Sequence, residues 1–233
     1  MSIPQPRAPR RDAAENREAI LLAAAAALND DIDASLETIA ARAGLTRRAI
    51  YGHFATRDDL LVETFTRGAA RIGSSVLPLS DPDARVEIAL YGATLWAEVG
   101  HVRVAAQLAV RGPHRARVAE ALEPARLKLL ATVERGIADG TLRGDIEAPT
   151  LARLIEAAAI AVLDEATRTG MSDDEGRRLV MLNGLGTAGI GWREADELIQ
   201  KTPVLRAGAE SAARRHRDAS AEAAALPRTD NQE

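Results

Sequence analysis

The sequence predicts an all-α protein of about nine helices, with a helix-turn-helix domain at the N-terminus and a larger helical domain behind it. Three observations carry that expectation. Apolar residues recur at helical spacing along most of the chain, and no segment alternates convincingly as a strand would. Ser35 to Leu61 holds two very short helical segments on either side of Gly44. Pro78 and Pro82, around Leu79-Ser80-Asp81, then interrupt the pattern and mark a candidate boundary.

Taken in order, residues 1–11 carry Pro4, Pro6 and Pro9 with Arg7, Arg10 and Arg11, and read as a disordered basic arm. A helix is expected from Asp12 to Leu28, closed by Asn29-Asp30-Asp31. Its run Ile20 to Leu28 is too short to span a bilayer, where about 20 apolar residues are needed. The lead before it mixes Arg with Asp and Glu, unlike a secretory leader, so a cytoplasmic helix is expected. Arg57 to Val76 reads as one helix, and 83–99 and 101–111 as two more, ended by Gly112-Pro113. A long helix is expected from His114 to Asp139, stopped by Gly140. Leu151, Leu154, Ile155, Ala158, Ala159, Val162 and Leu163 form an apolar stripe on the next, with Pro149 suited to its first turn. Ser172 and Glu175 make a capping box that opens a last helix to about Gly191. The domains expected are therefore 12–60 and 61–192, with the tail 207–233 disordered.

Composition removes several classes of function. With no cysteine there is no disulfide framework, thiolate metal site or cysteine nucleophile. The net charge of −4 rules out a uniformly positive surface, so any contact with nucleic acid must be local. Two each of Trp, Tyr and Phe are too few for a protein that stacks single-stranded bases along a groove.

The informative stretch is SLETIAARAGLTRRAIYGHFATRDDLL, Ser35 to Leu61. Ser35 is placed to cap a helix through Ala43, Gly44 supplies a sharp exit, and Thr46 caps a second helix, Arg47 to His53. Ala49 and Ile50 turn inward with Leu45 and Phe54, leaving Arg47, Arg48 and Tyr51 outward, with His53 at the end. Two arginines in a first turn oppose the helix dipole, which favours anions there. An arriving anion reverses that, and the N-terminal end of a recognition helix in the major groove meets one, with Arg able to bridge guanine O6 and N7. Thr56 caps the next helix, whose N-terminus, helped by Arg57, suits a backbone phosphate.

In Ile39-Ala40, Ala43-Gly44-Leu45-Thr46, Ile50-Tyr51, His53-Phe54 and Arg57-Asp58-Asp59-Leu60-Leu61 the chain resembles the tetracycline-repressor (TetR) family of bacterial transcription regulators. The resemblance covers roughly residues 12–65. It implies double-stranded DNA with a palindromic operator as partner, a C-terminal domain that dimerises and binds a small-molecule effector, and a repressor released by that effector. Thr46, Arg47, Arg48, Tyr51, His53 and Arg57 are the DNA-binding residues it points to. Arg48 stands where relatives commonly carry a small residue, and Gly52 where they often carry an aromatic, so the operator cannot be borrowed from them.

In the larger domain Trp96, His101, Arg103 and Gln107, with Arg111 and His114 nearby, are the candidate effector contacts, weighed against ordinary surface or core positions. His101 and His114 lie 13 residues apart, without the i, i+4 spacing of a helical metal pair, so no metal site is expected. The chain has no G-x-S-x-G elbow, no H-E-x-x-H and no phosphate-loop glycine pattern, so neither an enzyme nor a cofactor is expected. The helices at 150–168 and 173–191, one striped and one rich in Gly, are the expected homodimer interface.

Overall fold

The computed structural model describes residues 9–206 and is helical throughout, with no strand among those residues. Eleven helices are bounded: α1 (Pro9–Asp30), α2 (Leu36–Arg42), α3 (Arg47–His53), α4 (Arg57–Val76), α5 (Ala84–Val99), α6 (Arg103–Arg111), α7 (Arg115–Ala121), α8 (Glu123–Ala138), α9 (Ala148–Thr169), α10 (Asp173–Thr187) and α11 (Trp192–Lys201). They form two compact units. The first holds the chain through Ser74 together with Val102–Ala125, and the second holds Ser75–His101 and the residues from Arg126 on.

In the first unit the apolar run of α1 is spent on the core. Ile20, Leu21, Ala24 and Ala27 pack with Ile39 and Ala40 of α2, Ile50 of α3, and Phe54 and Leu60. Leu28 joins Leu61, Phe65 and Ala69 of α4, Ala105 and Ala109 of α6, and Val118 of α7. Burying each of the larger side chains contributes about 1.5–3 kcal/mol, so α1 is what seats the short α2 and α3. Seven-residue helices are not stable alone. Asn29, expected to end α1, also accepts from the Val104 N–H at 3.1 Å, satisfying one open donor at the start of α6.

The second unit packs α5 against α9, α10 and α11. Val86, Ala89 and Ala93 meet Met181, Leu185, Ala195 and Ile199, and Trp96 meets Val162, Ala166 and Val180. The Trp96 ring lies on Gly176, where an added Cβ would fall 2.0 Å from a ring carbon. Glu87, 3% exposed, is saturated. Lys128 Nζ is 2.6 Å away, Thr132 donates at 2.6 Å, the Asp81 N–H donates at 3.1 Å and Arg135 completes the set.

Several boundaries differ from expectation. Helix α1 begins at Pro9, so the last three residues of the expected arm are helical, while residues 1–8 and the tail 207–233 lie outside the described residues. The long helix expected from His114 is two, broken at Leu122 ahead of Pro124. Pro124 has no N–H to donate to the preceding turn and its ring crowds that turn's carbonyl, which interrupts a continuous helix, but it is tolerated in the first turn of α8. Helix α10 stops at Thr187 because Gly189 adopts φ 100°, and α11, not expected from the sequence, follows. Gly189 is therefore a turn residue against the Arg143 side chain rather than a position on a partner-facing helix. Leu154, placed by its spacing in the buried stripe of α9, is 44% exposed. The Ser172–Glu175 capping box is present as expected.

Candidate nucleic-acid interface

The geometry of α2 and α3 follows from local rules. Ser35 Oγ accepts from the Thr38 N–H at 3.1 Å. Gly44 takes φ 68°, which lets the Leu45 N–H reach back to the Ala40 carbonyl at 2.9 Å and turn the chain. Thr46 Oγ1 then accepts from the Ala49 N–H at 3.2 Å and starts α3. Ile50 and Phe54 are buried. Their burial fixes the rotation of α3 and turns Thr46, Arg47, Arg48, Tyr51 and Gly52 to the exposed side.

Of the residues singled out in the sequence, Arg48 is exposed and its guanidinium takes no partner among the described residues. Arg47 Nε lies 3.1 Å from Glu37 Oε1 of α2, and its guanidinium carbon sits 5.6 Å from the centre of the Tyr51 ring. The Tyr51 hydroxyl donates to the same Glu37 oxygen at 3.1 Å, with its residue 43% exposed. Glu37 is thus a site residue the sequence reading missed. Its carboxyl is held below the usual glutamate range, first by its own backbone N–H and then by the Tyr51 hydroxyl, with Arg47 adding to both.

His53 is half-buried at the end of α3, and its carbonyl accepts from Arg17 at 3.0 Å. Arg17, also unforeseen, stacks over the Phe54 ring at 4.4 Å and pairs with Glu63 of α4, so one side chain ties α1, α3 and α4 together. Arg57 is turned toward the chain: Nε donates to the Ala34 carbonyl at 2.9 Å, and a terminal nitrogen donates to that of Ile32. Thr56 and Asp59 cap the start of α4 reciprocally, Asp59 N–H to Thr56 Oγ1 and Thr56 N–H to Asp59 Oδ2, both at 3.1 Å. A nearby open hollow of about 570 Å³ is lined by Asp58, Asp59 and Glu63 against Arg17 and Arg117. Carboxylates dominate it, so it does not suit a phosphate.

The effector candidates are not brought together within one unit. Trp96 and His101 belong to the second, Arg103 and Gln107 to the first. Trp96 is buried in the core, His101 is exposed, and Arg103 and Gln107 are half-buried on α6. His114 Nε2 stands 2.9 Å from the Asp58 carboxylate at the start of α4.

The stretch that holds these caps and the turn glycine matches, over residues 20–64, the model of bacterial regulatory proteins, tetR family. This domain belongs to the tetR family. Solved structures extend the likeness beyond it. FadR, the fatty acid degradation regulator of Bacillus halodurans, aligns with a TM-score of 0.65 at 15% identity, over 79% of this chain and 97% of that one. FadR of Bacillus subtilis, solved with stearoyl-CoA, aligns at 0.60 and 18%, over 75% of this chain and 99% of that one. SmeT, the repressor of the Stenotrophomonas maltophilia multidrug efflux pump SmeDEF, gives 0.55 and 23%, over 73% and 88%. At such identities the likeness is one of fold. No curated protein matches the chain in sequence. In this tetR-family domain α3 is the helix that exposes cations at its N-terminal end, and no helix among the described residues is long and apolar enough to cross a membrane.

Proposed function

We propose that the chain is a transcriptional regulator, a repressor, that binds a palindromic operator in double-stranded DNA as a homodimer in the cytoplasm and lets go when a small molecule binds. The observation that carries the DNA reading is the pair Arg47 and Arg48, exposed in the first turn of a capped helix whose own dipole disfavours them. We assign both to base edges in the major groove, and Thr46 and His53 to phosphates. Tyr51, whose hydroxyl donates to Glu37, and Arg57, two of whose nitrogens donate to backbone carbonyls, act as braces of the same surface. Selection from randomised duplex DNA by the purified protein should return inverted repeats, because one seven-residue helix reads too few bases alone. Recovery of no enriched sequence would remove the proposal.

Dimerisation is assigned to the outer faces of α9 and α10. There Leu154 and Leu179 are 44% and 36% exposed, and Ala157, Ala161 and Gly186 beside them are small enough for close helix approach. Leu154→Glu should give a folded monomer by sedimentation and circular dichroism. A folded dimer carrying charges at both Leu154 and Leu179 would count against this face.

Effector release is supported by the family of the N-terminal domain and by the stearoyl-CoA bound to the Bacillus subtilis relative in fold. Weakening DNA binding 100-fold takes about 2.7 kcal/mol of coupling, and the same factor must appear when DNA weakens ligand binding. Trp96, His101, Arg103 and Gln107 are the residues to vary singly. Ligands that raise the melting temperature while none changes operator affinity would refute the switch and leave the DNA reading intact.

A further inference from the structure

Glu37 is an anion on the surface assigned above to DNA, and an anion there repels phosphates unless it does something specific. One of its oxygens meets two outward groups of α3, Arg47 Nε at 3.1 Å and the Tyr51 hydroxyl at 3.1 Å. The Tyr51 ring flanks the guanidinium at 5.6 Å, so Arg47 is held from two sides. Nε is the guanidinium atom nearest that carboxylate. Neither terminal amino group of Arg47 makes a hydrogen bond among the described residues, and that end of the fork matches the paired acceptors O6 and N7 of guanine.

We propose that Glu37 is a positioning residue for base reading: through Nε, and with Tyr51, it holds the Arg47 guanidinium so that its terminal fork reads a guanine in each half-site. The proposal rests on the DNA reading given above. Without Glu37 the flexible arginine is released to the nearest phosphate, which every sequence offers. Specific and non-specific binding then move in opposite directions. A brace that merely stabilised α2 and α3 would lower both together.

The test is selection from randomised duplexes by the full chain and by Glu37→Ala, Glu37→Gln, Tyr51→Phe and Arg47→Ala, with unfolding followed for each. In the wild type, one guanine position per half-site should depend on Arg47. Glu37→Ala should relax that same position about tenfold and leave the others unchanged. It should also tighten binding to a scrambled duplex and steepen its salt dependence by about one unit, the signature of one more phosphate contact. Glu37→Gln, which keeps a carbonyl oxygen for the same donors, should restore most of the discrimination, and Tyr51→Phe should lie between it and Glu37→Ala. Adding Glu37→Ala to Arg47→Ala should remove nothing further. If the wild type selects a site and Glu37→Ala retains its base preference everywhere, or loses affinity equally for all sequences, the positioning role falls and the DNA reading stands. If the wild type selects nothing, both fall.

Discussion

Two glutamates organise two parts of this chain in opposite ways. Glu37, on the exposed side of the first unit, has one oxygen between a largely exposed arginine and a tyrosine hydroxyl. Glu87, at the start of α5 in the second unit, is 3% exposed and takes a lysine, an arginine, a threonine hydroxyl and a backbone N–H. Solvent weakens an exposed pair until it can be exchanged for a partner at little loss. A buried carboxylate has no such alternative, so every lone pair must be met within the fold. The charge assigned here to reading a partner and the charge that locks a fold differ in burial and saturation, not in residue type.

The largest effect should come from breaking the lock. Glu87→Ala should cost about 3 kcal/mol of stability, the low end for a buried pair because Lys128 and Arg135 retain access to water. Base preference should not change. Burial alone would raise the Glu87 carboxyl, but Lys128, then Thr132 and the Asp81 N–H, hold it below its ordinary value. A depressed carboxylate contributes stability above the unfolded value of about 4.3 and loses it as pH falls through the lower folded value. Acid titration of Glu87→Gln should therefore show a shallower loss of stability below that point than the wild type. A Glu87 variant of full stability with altered site selection would overturn the contrast.

Next in size is Gly176→Ala. The new methyl would have to displace the Trp96 ring, and overpacking of this kind costs about 2 kcal/mol in chemical unfolding. Arg48→Ala should behave in the opposite sense. Unfolding should be unchanged, since the side chain is exposed and engages nothing described, while binding to a selected site weakens by about 1.4 kcal/mol, or tenfold, with relaxed preference at particular base pairs. Arg57→Ala sharpens the comparison further. Two of its guanidinium nitrogens donate to the Ile32 and Ala34 carbonyls, so the variant should lose melting temperature along with affinity for all sequences alike.

The parts of the interface that could be read in the sequence are those set by neighbours within four residues. Ser35 and Thr46 each cap a helix through the third residue on, Gly44 permits the turn, and Thr56 with Asp59 and Ser172 with Glu175 close their boxes at the same spacing. What escaped depends on residues far apart in the chain. Arg57 looks from its motif like a phosphate contact because nothing near it in sequence reveals the carbonyls of Ile32 and Ala34. Glu37 stands ten positions before Arg47, and only the crossing of α2 and α3 joins them. Nothing near Trp96 in sequence reveals that its ring packs on Gly176, on another helix. Helix α11 escaped for a different reason: charged residues dominate Trp192–Lys201, and only Ala195 and Ile199 are buried.

The smallest effect is the most pointed, because it repeats the glycine-to-alanine change at the other site. Gly52 lies in the last turn of α3, and a Cβ added there meets nothing within 4 Å, whereas at Gly176 the same carbon meets the Trp96 ring. Its φ is not left-handed, so alanine introduces no backbone strain. Alanine also restricts the unfolded chain, and at a compatible site that stabilises the fold by about 0.5 kcal/mol. Gly52→Ala should therefore raise the melting temperature slightly. The methyl projects on the same exposed side as Arg48 and Tyr51, the side assigned to DNA. Should DNA approach the backbone closely there, the more stable variant will bind all sequences more weakly, with base preference at the arginine positions intact. Unaltered DNA affinity with raised stability would place Gly52 outside the contact, and lowered stability would show that the open space beside it is needed by the fold itself.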